Sequence, residues 1–152
     1  MRLPFVFAFV AAAFVTGLAG ARLAPSAEAQ SQPALTPQII NVVGLSDEEI
    51  GPLVPNTDLR SRSLVVTEYG TVAVQSGNVA KHFHADANEI QLILSGSGSF
   101  WLGDKEHQIQ AGDLIIIPKG TPHAGSKATT GRFRALAIKL PPQKQGDVHP
   151  VP

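Results

Sequence analysis

The chain of 152 residues contains no cysteine. That absence removes disulfides, thiolate metal ligands and cysteine nucleophiles together, so any metal held here must be held by nitrogen and oxygen. Net charge is missing too: 12 lysines and arginines balance 12 aspartates and glutamates. No field therefore draws the protein onto nucleic acid or an anionic membrane. Aromatic residues are only 6% of the chain, and four of the seven phenylalanines (Phe5, Phe7, Phe9 and Phe14) lie near its start. Beyond that region no stretch carries a long helical period. The length suits one domain with a real hydrophobic core and is too short for two ordinary ones.

What is present begins with Arg2 and the apolar run Leu3 to Leu18, followed by small residues. This is the pattern of a secretory signal peptide. Cleavage is expected after Ala27-Glu28-Ala29, with Ala19-Gly20-Ala21 as a second site. An uncleaved anchor is the alternative, since a spanning helix needs roughly 20 apolar residues. Cleavage would remove Arg2, Arg22 and Glu28, leaving a nearly neutral domain in a bacterial periplasm or outside the cell, with no membrane attachment. The expected organisation is then a signal peptide over 1–29, a flexible lead-in over 30–37, a domain over 38–140 and an extended, proline-containing tail over 141–152. Ile39 to Val43 is β-branched and predicts a first strand. Ser46-Asp47-Glu48-Glu49 fits a helix capping box, ended after about a turn by Gly51-Pro52.

From Arg62 onward, short β-branched runs alternate with turn residues, the signature of an all-β sandwich or barrel. Strands are expected over 62–68, 71–76, 80–84, 89–95, 98–103, 106–110, 113–117, 121–124 and 132–139. Gly70, Gly96-Ser97-Gly98 and Gly103-Asp104 read as turns between them. The Gly96 to Gly98 stretch runs strand to strand with no following helix, so it is a poor phosphate loop. Along Glu89 to Leu94, side chains alternate: Glu89, Gln91 and Ile93 face one way, Ile90, Leu92 and Leu94 the other. Both faces are largely apolar, which predicts cover on both sides by a second sheet or a partner subunit.

The chemistry gathers at His82-Phe83-His84-Ala85-Asp86-Ala87-Asn88-Glu89, with His123 further along. Two histidines two apart on a strand project from one face, about 6.5 Å apart along the chain, and both nitrogens can converge on one ion at about 2 Å. The connection 85–88 is long enough to return the Glu89 carboxylate beside them. A fourth ligand must come from elsewhere, and His123 lies on a second hairpin. Taken singly these signals are weak. A His-x-His pair on a strand is more often surface or packing, and a lone histidine more often fills space.

The spacing Gly77, His82-x-His84-x4-Glu89-x6-Gly96 is similar to the first motif of the cupin superfamily, and Gly112-x5-Pro118-x-Gly120-x2-His123 resembles the second. Two positions depart from that pattern: the first glycine is one residue nearer His82, with Ser76 at the usual place, and Lys127 replaces an asparagine. The resemblance implies an antiparallel jelly-roll β-barrel, a metal inside one end, and frequently a homodimer. His82, His84, Glu89 and His123 are then the metal ligands, and Glu89 could also exchange protons. Gln91, facing the lumen, is the candidate to orient a ligand or bound water. Its alternative is a hydrogen-bonded polar residue with no chemical part.

Phe100, Trp101 and Phe133 are expected in the core or lumen wall. His107 and His149 are expected away from the ion, and Asp86 and Asn88 are expected to be turn residues. Nitrogen and oxygen ligands suit iron, manganese, nickel, zinc or copper as a divalent ion. The leading expectation is a metal-dependent enzyme of dioxygenase type acting on a small oxygen-rich molecule. A lyase or isomerase acting on a sugar acid, and a non-catalytic small-ligand-binding module, are the alternatives, because one fold hosts many functions.

Overall fold

Residues 35–152 are described in a computed structural model. The expected signal peptide and its expected cleavage site lie outside them. Ile39 to Val43, expected as a strand, is not one. Ile39 is fully exposed, and the chain instead turns so that Gly44 N donates to Asn41 O at 3.2 Å. Strand propensity alone does not make a strand where no sheet edge pairs with it. The capping box forms as the sequence predicts. Ser46 N donates to Glu49 Oε2 at 2.7 Å and Glu49 N donates to Ser46 Oγ at 3.2 Å, starting helix α1 (Asp47–Ile50).

Eight strands follow: β1 (Arg60–Val66), β2 (Thr71–Ser76), β3 (His82–Phe83), β4 (Asn88–Leu102), β5 (Lys105–Gln110), β6 (Leu114–Ile117), β7 (His123–Leu140) and β8 (His149–Pro150). They pair antiparallel in the order β1-β2-β7-β3-β8, while β4 pairs with β5, β6 and β7. This is an antiparallel jelly-roll barrel. Its frame is the long pairing of β4 with β7, from Asn88↔Leu140 to Leu102↔His123. The first half of β4 lies between β6 and β7, and the second half between β5 and β7.

Gly96 to Gly98 is therefore not a turn, and the two strands expected over 89–95 and 98–103 are one. The glycines permit irregular pairing inside the strand instead, with register shifts at Ser95, Ser97 and Gly98. A Cβ on Gly98 would lie 2.1 Å from the Lys127 carbonyl oxygen, and one on Gly96 would lie 2.8 Å from that of Arg132. Both positions also have positive φ, so close backbone approach and local twist demand glycine. The gap expected between 124 and 132 closes in the same way, as continuous β7.

Alternation sorts the side chains. Ile93, Phe100, Ile109, Ile115, Ile117, Ala124, Phe133 and Ala135 form the buried core. Each large side chain of this set contributes about 1.5–3 kcal/mol by leaving water. Glu89, Gln91, Ala137 and Lys139 continue the inward row towards one end, through the pairs Glu89↔Lys139 and Gln91↔Ala137.

Candidate metal centre

The register of the barrel brings His82, His84, Glu89 and His123 together. His82 on β3 stands directly opposite His123 at the start of β7, His84 follows two residues on, and Glu89 opens the inward row of β4. All four are buried, and one candidate donor atom from each lies within 4.8 Å of the others.

The rings are oriented by their other nitrogens. Nδ1 of His82 faces Ala80 O at 2.8 Å, that of His123 faces Thr121 O at 2.9 Å, and that of His84 faces Asp147 O at 2.5 Å. A carbonyl can only accept, so each Nδ1 carries a hydrogen, and a ring with no second hydrogen turns an Nε2 lone pair inward. Glu89 Oε2 lies 3.0 Å from His84 Nε2 and 3.3 Å from His123 Nε2. The second contact is no hydrogen bond, and His123 Nε2 is a buried nitrogen without a partner. Acceptors facing acceptors at such distances repel unless a cation lies between them. A proton would settle one pair; a metal ion settles all four groups. Donors held about 2.1 Å from one ion sit about 3.0 Å apart at neighbouring corners of an octahedron. The residues present thus fit a divalent transition metal.

Electrostatics agree with that fit. Burial lowers the pKa of His82 to about 4, keeping the ring neutral and its lone pair available. Burial opposes the charge of Glu89, but hydrogens carried by the facing His123 and His84 nitrogens in the metal-free protein, the Lys139 ammonium and the Gln91 amide outweigh it. Its carboxylate is held well below the ordinary range. Gln91 Nε2 donates to Glu89 Oε1 at 2.8 Å, which fixes the carboxylate orientation and spends one oxygen, leaving Oε2 to the centre.

Sequence reasoning missed two residues here. Lys139 Nζ lies 3.8 Å from Glu89 Oε2 with its side chain only 13% exposed. Its signal was readable, since Phe133, Ala135, Ala137 and Lys139 alternate inward along one strand. Asp147 had no such signal, because it lies in the segment read as tail. That segment folds back onto the barrel, where β8 pairs with β3 through His82↔Pro150 and Phe83↔His149. The Asp147 carboxylate accepts from the amides of Ala85 at 2.7 Å, Asp86 at 3.1 Å and Ala87 at 3.3 Å. Burial opposes its charge, yet these amides keep its pKa below the usual value. One residue thereby holds both the His84 ring and the loop leading to Glu89.

The other candidates stand apart. His107 is exposed on β5, and His149 stacks on Phe83 at 4.8 Å, outside the cluster. Phe100 and Phe133 are core, and Trp101 lies beneath the Lys81 ammonium at 4.2 Å. Asp86 pairs with Lys144 at 3.1 Å, and Asn88 Oδ1 accepts from Lys119 N at 3.0 Å, so both serve the loop. Lys127 pairs with Ser99 on β4. Gly77, at φ 130, would place a Cβ 1.8 Å from the Asp58 carbonyl oxygen, a close approach only glycine allows. A cavity of about 700 Å³ opens beside the cluster, reaching His82, Glu89, Gln91 and Lys139.

Known proteins resemble parts of this chain. Residues 69–139 match the cupin domain family. The chain is 32% identical over 66 residues to an uncharacterized protein of Methanocaldococcus jannaschii, covering 43% of this chain and 53% of that one. It is 48% identical over 48 residues to acireductone dioxygenase of Drosophila pseudoobscura pseudoobscura, covering 28% of this chain and 25% of the enzyme. The chain thus spans about half the length of the first relative and a quarter of the second. A solved protein of Klebsiella pneumoniae with a double-stranded β-helix domain superposes with a TM-score of 0.57 at 18% identity, covering 70% of this chain and 96% of that one. The fold is that of the cupin barrels, and the cupin-domain match spans the segment that supplies all four clustered side chains.

Proposed function

We propose that this protein is a cupin that holds one divalent transition metal on His82, His84, Glu89 and His123 and acts as a metal-dependent enzyme of dioxygenase type on a small, oxygen-rich molecule. The observation that carries this reading is the convergence of three Nε2 lone pairs and one carboxylate oxygen, with every Nδ1 occupied by a backbone carbonyl. The local similarity to acireductone dioxygenase supports the reaction class. An ion held by His82, His84, Glu89 and His123 would supply Lewis acidity and could bring dioxygen to an oxygen-rich substrate. The chain's own part is to orient and to exclude water. Gln91 fixes the Glu89 carboxylate, Asp147 fixes the His84 ring, and the apolar core closes the inner end of the barrel.

Export through the amino-terminal segment and residence in the periplasm belong to the same proposal, resting on the apolar run and its Ala-x-Ala site. So does a homodimer. Ile90, Leu92, Leu114, Ile116, Leu136 and Ile138 share the outer face of the sheet through paired positions, and Leu114 and Ile116 are 60% and 64% exposed. An apolar sheet face of this kind marks an interaction surface. The function is tested by measuring metal content of protein purified from its native compartment, then oxygen uptake with catechols, diketones and uronic acids. A redox-active ion with uptake on one of these classes is expected. Tight retention of a small molecule without turnover would instead identify a binding module, and turnover without oxygen uptake would identify a lyase or isomerase.

A further inference from the structure

The cavity beside the centre would carry an unbalanced charge once a divalent ion is bound. Its walls are mostly neutral: Ser61, Ser63, Thr71 and Gln75 offer hydroxyls and an amide, while Ala73 and Ala137 leave space. Two further charged residues at the rim are engaged elsewhere, Lys81 over the Trp101 ring at 4.2 Å and Asp58 with Arg132 at 2.9 Å. Deep in the cavity stands the Lys139 ammonium, 3.8 Å from Glu89 Oε2. Without a metal, Glu89 answers it. With a divalent ion on the four ligands, Glu89 and Asp147 no longer match the ion and Lys139 together, so a positive charge stays uncompensated in a buried site. Buried charge of that kind is costly: burial lowers the Lys139 pKa while Glu89 and Asp147 raise it, and an anion joining the site favours the charged form further.

Hydrogen-bonding capacity points the same way. An ammonium has three donors. Lys139 gives one to Gln143 Oε1, and its distance to Glu89 is too long for a second, so donor capacity remains for a guest.

Resting on the metal reading above, we propose that Lys139 is the anion-recognition residue of this cavity. Its ligand is a small carboxylate bearing a second oxygen on the neighbouring carbon, as in 2-oxo acids, 2-hydroxy acids and dicarboxylates. The paired oxygens would chelate an ion held by the four side chains, and a remaining carboxylate oxygen suits Lys139. The hydroxyls and amides of β1 and β2 then face the rest of the molecule.

The test uses full-length protein loaded with cobalt(II), titrated with oxalate and, separately, with neutral imidazole, following the visible absorption of the ion. Lys139→Met is expected to bind oxalate about tenfold or more weakly, as loss of a charge-assisted contact requires, with imidazole affinity within about twofold of the unsubstituted protein. Lys139→Arg is expected to restore most of the oxalate affinity. Equal oxalate affinity in Lys139→Met and the unsubstituted protein would overturn the proposal while leaving the metal centre standing. So would an equal weakening of both ligands, or loss of cobalt from Lys139→Met and Lys139→Gln alike, since Lys139 would then support the site rather than its guest. Failure of the unsubstituted protein to take up cobalt would remove the metal reading and this proposal with it.

Discussion

Gln91 shows how much of the centre depends on single contacts. Its amide donates to Glu89 Oε1 at 2.8 Å, so Gln91→Leu removes the donor while keeping much of the volume. Loss of a contact that orients a ligand lowers metal affinity by about 10- to 100-fold. Competition with a chromophoric chelator is expected to find that loss, with thermal stability of the metal-free variant little changed. Residues like this were legible because strand alternation is strict: once Glu89 faces inward, Gln91 must as well. Lys139 obeys the same rule, but a lysine near a strand end reads as a solvated charge until pairing places it opposite Glu89. Asp147 could not be found at all. It works through its backbone carbonyl and through the amides of a loop more than fifty residues away, and neither leaves a mark on side-chain spacing.

Among the elements, the carboxy-terminal segment has the most unexpected part. Asp147→Ala leaves the amides of Ala85, Asp86 and Ala87 without their acceptor. Only the Ala87 amide is buried, and an unsatisfied buried donor costs about 1–3 kcal/mol, so a lower melting temperature is expected together with weaker metal binding, read by calorimetry and chelator competition. Asp147→Asn keeps an acceptor oxygen and should recover part of both. At the other end of the chain, α1 is tied down by Asp47, which accepts from Ser76 Oγ at 2.9 Å and from Arg134 at 3.2 Å. These elements also show where local signals stop. Turn and bulge both call for glycine at positive φ, so Gly96-Ser97-Gly98 could not reveal whether the chain reverses or merely twists. Only the partner strand decides, and β7 runs past the whole of β4. The capping box of α1, by contrast, is complete within four residues and was fully readable.

For the whole molecule, acid stability follows from the anchoring carboxylates. Asp47 is held below its ordinary pKa mainly by the Ser76 hydroxyl and by Arg132 and Arg134. Asp58 is lowered by the Asn78 amide and Arg132. A carboxylate with a depressed folded pKa contributes stability that is present above its unfolded pKa, near 4, and lost as pH falls through its lower folded value. Melting temperatures measured from pH 7 downward should therefore keep the full contribution of these groups until about pH 4, then show a decline that Asp47→Asn makes shallower. The apolar outer face of β4, β6 and β7 predicts a dimer by light scattering, and Leu114→Lys combined with Ile116→Lys should yield monomers with an intact β signal in circular dichroism. An all-β sandwich or barrel was legible from strand length and turn spacing, and the resemblance to the cupins chose the barrel. Which faces remain open was not, because sequence alternation marks a face as apolar without saying what covers it.

One ion held by four residues is the centre of this protein's chemistry, and elemental analysis of purified protein tests that most directly. The unsubstituted protein should carry about one equivalent of a divalent transition metal per chain, and His84→Ala should lose most of it while circular dichroism still reports the β fold. Equal metal stoichiometry in the two proteins would contradict the assignment of the centre.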